Sequence, residues 1–96
     1  MPVRLVVTFN AAAGKGAELA KAFSERAALA MKENGCEQFE VFRSVSNADK
    51  VVLLERWTDQ AALDAHAKGL TALPPLPEGL VAGGREREDY EYNRTR

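Results

Sequence analysis

The chain has 96 residues, and although 46% of them are apolar, 16 of the apolar residues are alanine, which leaves 28 larger apolar side chains. A chain of this length buries only about 60–65% of its unfolded surface, so we expect a small domain that gains stability by self-association. The 13 basic and 14 acidic residues nearly cancel, which argues against nucleic acid or an anionic membrane as a partner.

Cysteine content and hydropathy predict a soluble, cytoplasmic protein. The single cysteine, Cys36, cannot form a disulfide within the chain, which favours a reducing compartment. Residues 1–10 lack the basic region and long apolar run of a signal peptide. No window approaches the roughly 18–20 apolar residues that a membrane-spanning helix requires.

The first third of the chain changes from strand to helix periodicity. In residues 2–10 strongly apolar positions alternate with more polar ones, which predicts a first strand. Apolar residues then recur at helical spacing, which predicts a helix over residues 15–34 that ends at Asn34-Gly35. Charged residues, Glu33 among them, mark the water-facing side of this helix, so its other side should cover a sheet.

The middle of the chain predicts a strand hairpin. Aromatic and β-branched residues favour strands over residues 36–45 and 50–58, and residues 46–49 have the composition of a turn. Both faces of the third strand are apolar: one carries Val51, Leu53 and Trp57, and the other carries Val52 and Leu54. Helices can cover one face, so the other needs a ligand or a second subunit.

The remainder of the chain predicts one more helix and one more strand. Asp59 can cap a helix over residues 59–69, whose apolar side includes His66. The prolines of residues 73–77 interrupt any further helix. Alternation over residues 84–92 predicts a polar fourth strand.

The predicted element order is therefore βαββαβ, which is the ferredoxin-like α+β arrangement with an antiparallel sheet and both helices on one face. Nothing in the composition indicates a linker or a low-complexity segment, so residues 1–96 are predicted to form a single domain. Its uncovered sheet face predicts a homodimer.

Several short motifs resemble the antibiotic biosynthesis monooxygenase family over roughly residues 3–70. The strand-to-helix run VLLERWTD at residues 52–59 carries the resemblance, together with Ala61-Ala62-Leu63, His66, Gly35-Cys36, Phe39-Glu40-Val41-Phe42-Arg43-Ser44 and Gly14-Lys15-Gly16. The resemblance implies a dimeric α+β barrel with a pocket in each subunit. It also implies a monooxygenase that uses molecular oxygen without flavin, haem or metal on an anthrone, a quinol or a similar small aromatic substrate.

The family is functionally mixed, and the resemblance leaves two alternatives open. One is a non-catalytic, stress-associated barrel that holds an apolar metabolite, and the other is a cofactor-free isomerase. Haem-degrading relatives use an asparagine, a tryptophan and a histidine together. Asn10 and His66 do not match the first and third of these positions, which argues against haem degradation.

Trp57 and His66 are the predicted catalytic residues. Trp57 ends the third strand, where its ring could form a pocket wall and its indole N–H could donate to a substrate oxygen. A packing role is the alternative. His66 is the only histidine, and imidazole is the side chain that exchanges protons near neutral pH. Its apolar helical stripe favours the alternative of a buried, hydrogen-bonded structural histidine.

Asn10, Phe42 and Tyr90 are the predicted substrate-binding residues. Asn10 closes the first strand, Phe42 lies on the opposite strand face from Phe39, and Tyr90 offers a phenol from the fourth strand. A turn role for the asparagine and an interface role for the aromatic residues are the alternatives. Glu55 shares the parity of Trp57 and would be costly to bury unpaired, so we expect it to pair with a base such as Arg43.

Other chemistries have little support in the sequence. One histidine and one cysteine, 30 residues apart, do not form a metal-ligand cluster, so no metal is predicted. The Gly14-Lys15-Gly16 segment lacks the phosphate-loop pattern and is interpreted as a tight turn. No serine lies in a GxSxG motif, and Cys36 has no evident activating partner, so a hydrolase is not expected.

Overall fold

A computed structural model describes residues 1–70, 73 and 75–93 of the chain. In chain order the elements are β1 (Val3–Asn10), α1 (Gly16–Ala30), β2 (Cys36–Arg43), β3 (Lys50–Trp57), α2 (Gln60–Gly69) and β4 (Glu86–Glu91). This βαββαβ order confirms the predicted ferredoxin-like α+β fold.

The four strands form one sheet in the order β2-β3-β1-β4, and every neighbouring pair is antiparallel. In the β1–β3 register Val3 faces Trp57 and Leu5 faces Glu55. Directly paired residues project to the same side of a sheet. The register therefore gathers the alternate apolar residues of both strands on one face.

The two faces of the sheet have different environments. The helix face, which α1 and α2 cover, carries the buried core residues Val3, Leu5, Val7, Phe39, Val51, Leu53 and Trp57. The open face carries Val6, Phe42, Val52, Leu54 and Tyr90, which are half-buried or exposed. The prediction that β3 would be apolar on both faces is confirmed.

The glycine-containing loop before α1 is held by a side chain of the β2–β3 hairpin. The backbone N–H groups of Gly14 and Gly16 donate to the two carboxylate oxygens of Asp49 at 3.1 and 3.0 Å. A Cβ at Gly16 would collide with the carbonyl oxygen of Ala48. The loop is therefore a tight turn, and its amide N–H groups bind the Asp49 carboxylate.

Helix α1 ends at Ala30, four residues before the predicted end. The N–H groups of Lys32 and Glu33 donate to carbonyls three residues earlier, at 3.1 and 2.9 Å, so the chain tightens into turns. Gly35 then adopts φ +87°, and a Cβ there would collide with that of Ala62. This early end places Glu33 beside α2 instead of on the water-facing side of α1.

Helix α2 begins as predicted, because Asp59 accepts a hydrogen bond from the N–H of Ala62 at 2.9 Å. It ends at Gly69, before the proline-containing segment; Pro74 of that segment lies outside the described residues. No helix in the described part of the chain is both long and apolar enough to cross a membrane.

Candidate functional site

A cavity of about 250 Å³ lies between the helix face of the sheet and the two helices. Its apolar lining comes from β1, α1, β2 and β3: Leu5, Val7, Phe9, Phe23, Phe39 and Leu53. Ligand pockets usually measure about 300–1,000 Å³. The size and the aromatic lining therefore suit a small, flat, apolar molecule.

His66 lies in the cavity wall and is held by a carboxylate. Its Nδ1 lies 2.8 Å from Oε2 and 3.0 Å from Oε1 of Glu33, in the turn after α1. A carboxylate only accepts, so Nδ1 carries the proton and donates it to Glu33. In the neutral ring Nε2 is then the unprotonated, basic nitrogen. His66 is therefore both a buried, hydrogen-bonded histidine and a residue of the cavity lining.

Trp57 supports this wall from behind. Its side chain is fully buried, and its ring packs against the His66 ring with a centroid separation of 4.6 Å. The indole N–H donates to Oε1 of Glu55 at 3.0 Å, so it does not point into the cavity toward a substrate oxygen. Trp57 therefore positions two polar residues of the cavity and does not itself line it.

Glu55 is the polar cavity residue that sequence reasoning assigned to an ion pair. Its residue is 4% exposed, and no basic side chain in the described ranges lies within ion-pair distance of it. The expected partner Arg43 instead donates from Nε and a terminal nitrogen to the carbonyl oxygen of Ala48, both at 3.1 Å. Arg43 lies at the far end of β2, too far along the strand to pair with Glu55.

Burial raises the pKa of the Glu55 carboxyl above its ordinary value. The hydrogen bond from Trp57 and the positive charges of His66, Arg87 and Arg85 act in the opposite direction, but burial is the larger effect. The parity of Glu55 with Leu53 and Trp57 already marked it as inward-facing. What the sequence did not provide was the cavity beside it.

Three arginines complete the polar part of the lining: Arg26 from α1, Arg85 before β4 and Arg87 within β4. Arg87 also contacts Asp89, with 3.4 Å between Nε and Oδ1. The edge of the cavity near β4 is therefore positively charged, and this favours ligands with an electron-rich or anionic oxygen.

The structure brings His66 and Trp57 together but places the predicted substrate-binding residues elsewhere. Phe42 and Tyr90 project from the open face and are 47% and 50% exposed, while Asn10 is exposed at the end of β1. None of the three lines the cavity. The period-two alternation of a strand separates them from it, because they lie on the opposite parity from Leu5 and Leu53.

Glu33 is the site residue that the sequence pattern placed on the wrong side. The helical stripe assigned it to solvent, whereas the end of α1 at Ala30 turns it toward His66.

Among the described residues no group of three histidine, cysteine, aspartate or glutamate side chains is arranged to hold a metal ion.

Cys36 lies at the start of β2 with its sulfur 3.8 Å from that of Met31. Burial, together with the negative charges of Glu33 and Glu55, raises its pKa to about 11. The thiolate is the reactive form of cysteine. Cys36 is therefore a weak nucleophile at neutral pH.

The fold and the cavity define a class of small α+β proteins with a largely apolar site between the sheet and two helices. The sequence profile of the family described as antibiotic biosynthesis monooxygenase matches residues 2–71. The chain belongs to this family. Proteins of the family are generally dimers. No curated protein matches the chain in sequence.

Solved structures share the fold at low sequence identity. A conserved protein from Methanosarcina mazei superimposes with a TM-score of 0.84 at 22% identity, over 97% of this chain and 94% of that one. A candidate antibiotic biosynthesis monooxygenase from Deinococcus radiodurans gives 0.76 at 21% identity, over 97% and 94%. A Bacteroides thetaiotaomicron protein described as a possible oxidoreductase gives 0.76 at 23%, over 95% and 97%. These likenesses concern the fold.

Proposed function

We propose that the protein is a monooxygenase that oxidises a small aromatic compound, of the quinol or anthrone type, with molecular oxygen and without a bound cofactor. One observation carries the proposal: His66, held by Glu33, lies in the wall of an apolar, aromatic-lined cavity. Membership of the monooxygenase family supports the same reaction class.

The His66–Glu33 pair supplies the base that this chemistry needs. Nδ1 keeps its proton through the bond to the Glu33 carboxylate, which leaves Nε2 to accept a proton from the substrate. The negative charge of Glu33 then stabilises the imidazolium that forms. Packing against Trp57 limits rotation of the ring, with centroids 4.6 Å apart, so less reorganisation accompanies proton transfer.

The reaction balances without an added reductant. For an anthrone, the CH₂ carbon gives a proton to His66, and the resulting carbanion transfers one electron to O₂. The two radicals combine in a C–O bond, and the proton returned by His66 completes a hydroperoxide. Loss of the second C–H proton with cleavage of the O–O bond leaves a ketone and releases water. The four electrons lost by the carbon account for the full reduction of O₂.

The cavity walls contribute by excluding water and holding the ring system flat. Phe9 and Phe23 pack with centroids 4.6 Å apart at one side of the cavity, and Phe39 lies beside His66 at 5.9 Å. Aromatic surfaces of this kind favour a planar ligand. A dry cavity also protects radical and carbanion intermediates from premature protonation.

We further propose that a second copy of the chain covers the open face. Phe42 and Tyr90 there are about half exposed, and half-buried Val52 and Leu54 lie beside them. Leaving such a surface in water is unfavourable, and pairing of two such faces would bury it. The dimeric habit of the family supports this assignment. The cavity, on the helix face, is built from one copy.

Oxygen uptake tests the reaction. A panel of hydroquinones and anthrones in buffer free of metal and flavin should give turnover above the uncatalysed rate. His66→Ala should reduce turnover at least about a hundredfold, since general base catalysis contributes about 10²–10⁴. Trp57→Phe should reduce it less. Lys68→Ala, an exposed change on α2, is the matched control.

The outcomes separate the alternatives. No oxygen uptake across a broad panel, with tight retention of one compound, would replace the proposal by a non-catalytic binding protein. Conversion of a ligand without oxygen uptake, abolished by His66→Ala, would identify an isomerase.

A further inference from the structure

Glu55 is a buried carboxyl group, and one of its two oxygens accepts a hydrogen bond. It lies on β3 between Leu53 and Trp57 and lines the cavity while its residue is only 4% exposed. Oε1 accepts the indole N–H of Trp57 at 3.0 Å. In the part of the chain that the structure describes, no donor or cation binds Oε2.

The protonation state of this carboxyl follows from its surroundings. An ionised carboxylate without a partner is costly to bury, so burial favours the protonated form of such a group. Burial accordingly raises the pKa of Glu55. A protonated carboxyl whose Oε1 accepts from Trp57 carries its hydrogen on Oε2 and can donate it to a ligand.

We propose that Glu55, in its protonated form, recognises the substrate by donating a hydrogen bond from Oε2 to a carbonyl or phenolate oxygen of an aryl ketone or phenol. The inference deepens the proposed function, and it rests on that function for the view that the ligand is a reactant.

The buried polar groups leave few other ways to hold such an oxygen. Glu55 and His66 are the only buried polar or charged residues among those described. If His66 takes a proton from carbon, Glu55 is the other buried polar group that can bind the oxygen on which negative charge develops, and the arginines act from the cavity edge. A neutral donor fixed in an apolar cavity stabilises an enolate or phenolate strongly, because no solvent reorganisation is needed.

The charges around Glu55 act on the carboxyl and on the ligand differently: they oppose its protonation, an effect that burial outweighs, and they attract an anionic ligand oxygen. The groups that face it or line the same cavity are His66 from α2 with Glu33 behind it, Arg26 from α1, Cys36 from β2, and Arg85 and Arg87 at β4. The positively charged arginines favour a phenolate or enolate oxygen. An ionised Glu55 would repel it.

A matched pair of ligands tests the hydrogen bond without any turnover. 1-Tetralone and tetralin differ in one position, a carbonyl in place of a CH₂ group, so the ratio of their affinities reports recognition of the oxygen. Isothermal titration calorimetry should show that the native protein prefers 1-tetralone by about tenfold, as expected for one buried hydrogen bond. The preference should fall as rising pH ionises Glu55, because a carboxylate cannot donate.

Two variants assign the effect. Glu55→Gln keeps an acceptor for Trp57 and an N–H donor for the ligand, so it should keep the ketone preference within a few-fold and lose its pH dependence. Glu55→Leu should bind both ligands equally. Equal ratios in the native protein and Glu55→Leu, or a ketone preference that rises with pH, would overturn the inference. If Glu55→Leu does not fold, the comparison of native protein with Glu55→Gln decides the question. The ketone preference should depend on pH in the native protein and not in Glu55→Gln.

The experiment separates this inference from the proposed function. A ketone preference that depends on Glu55, in a protein that consumes no oxygen with any substrate, supports the inference and rejects the monooxygenase. Oxygen uptake in a protein without any ketone preference supports the monooxygenase and rejects the role of Glu55.

Discussion

The two faces of the sheet use the same strands for different purposes. Along β3, Leu53 and Trp57 project to the helix face and are buried, while the neighbouring Leu54 projects to the open face and is half-buried. The helix face contains a cavity with His66 and Glu55 in its wall. No helix of the described residues covers the open face, which carries exposed aromatic residues. One face is thus complete within the chain, and the other is an unpartnered surface.

The difference teaches where polar groups can be placed in a small protein. On the helix face, burial raises the pKa of the Glu55 carboxyl, and the imidazole of His66 is held by the carboxylate of Glu33. The same residues on the open face would remain solvated and behave ordinarily. The proposed chemistry and the proposed self-association are therefore assigned to opposite faces, and variants can disturb one without the other.

The largest effect should follow from removing Trp57 from the helix face. Trp57→Ala should lower the free energy of unfolding by about 3–5 kcal/mol, as other large-to-small changes at buried aromatics do. Urea denaturation followed by far-ultraviolet circular dichroism measures this without needing the only tryptophan. Phe42→Ala on the open face, compared at the same protein concentration, should cost about 1 kcal/mol. Equal losses would contradict the distinction between the faces.

Next in size is the response of the open face to charge. Leu54→Lys should weaken the proposed dimer about a hundredfold or more, because pairing would bury an ammonium group. Light scattering coupled to size-exclusion chromatography at micromolar concentration measures the mass. Ala65→Lys, an exposed change on α2, is the control and should leave the mass unchanged. A native protein that is a stable monomer at micromolar concentration would reject the dimer itself.

A smaller, local effect should follow from Glu33, which acts through His66. Glu33→Gln removes the negative charge at Nδ1, so we expect turnover of an active substrate to fall about tenfold. Because His66 is the only histidine, ¹⁵N NMR of its ring reports the tautomer directly, and the native protein should have its proton on Nδ1. Glu25→Gln on α1 is the control. A native Nε2-protonated tautomer would contradict the assigned base.

The smallest effect is the contribution of Glu55 to the pH dependence of stability. Its pKa is raised in the folded state from an ordinary value of 4.5, so between those two pKa values the folded protein binds more protons than the unfolded one. Stability should therefore fall as pH rises through that window and level off above the folded pKa. Urea unfolding of the native protein should show this slope, and Glu55→Gln should lack it. An opposite slope would mean that Glu55 is buried ionised.

Local periodicity explains how much of the fold was predictable. The alternation in β1 and β3, the capping aspartate Asp59 and the turn residues of the hairpin all depend on neighbours within a few positions. The predicted end of α1 was wrong by four residues, because Asn34-Gly35 is a strong helix terminator and nothing local marks the tighter turn after Ala30.

The candidate site was predictable only in part. His66 and Trp57 were recognised from chemistry and motif, and the structure packs their rings together at 4.6 Å. Asn10, Phe42 and Tyr90 were chosen without knowing which sheet face holds the cavity, and they lie on the other one. Glu33 and Glu55 were visible as carboxylates, but their surroundings were not. Glu33 binds a histidine 33 residues further along the chain, and Glu55 lines a cavity built by four strands and two helices.

The sequence by itself determined the order of elements, the apolar parity of each strand and the presence of one residue able to exchange protons near neutral pH. Those properties are encoded over short stretches, where spacing and side-chain type suffice. Only the tertiary structure decided that the cavity lies on the helix face, that Glu33 orients His66, and that Glu55 is buried without a described donor to Oε2. These depend on strand register and on where α1 ends, which set contacts between residues far apart in the chain.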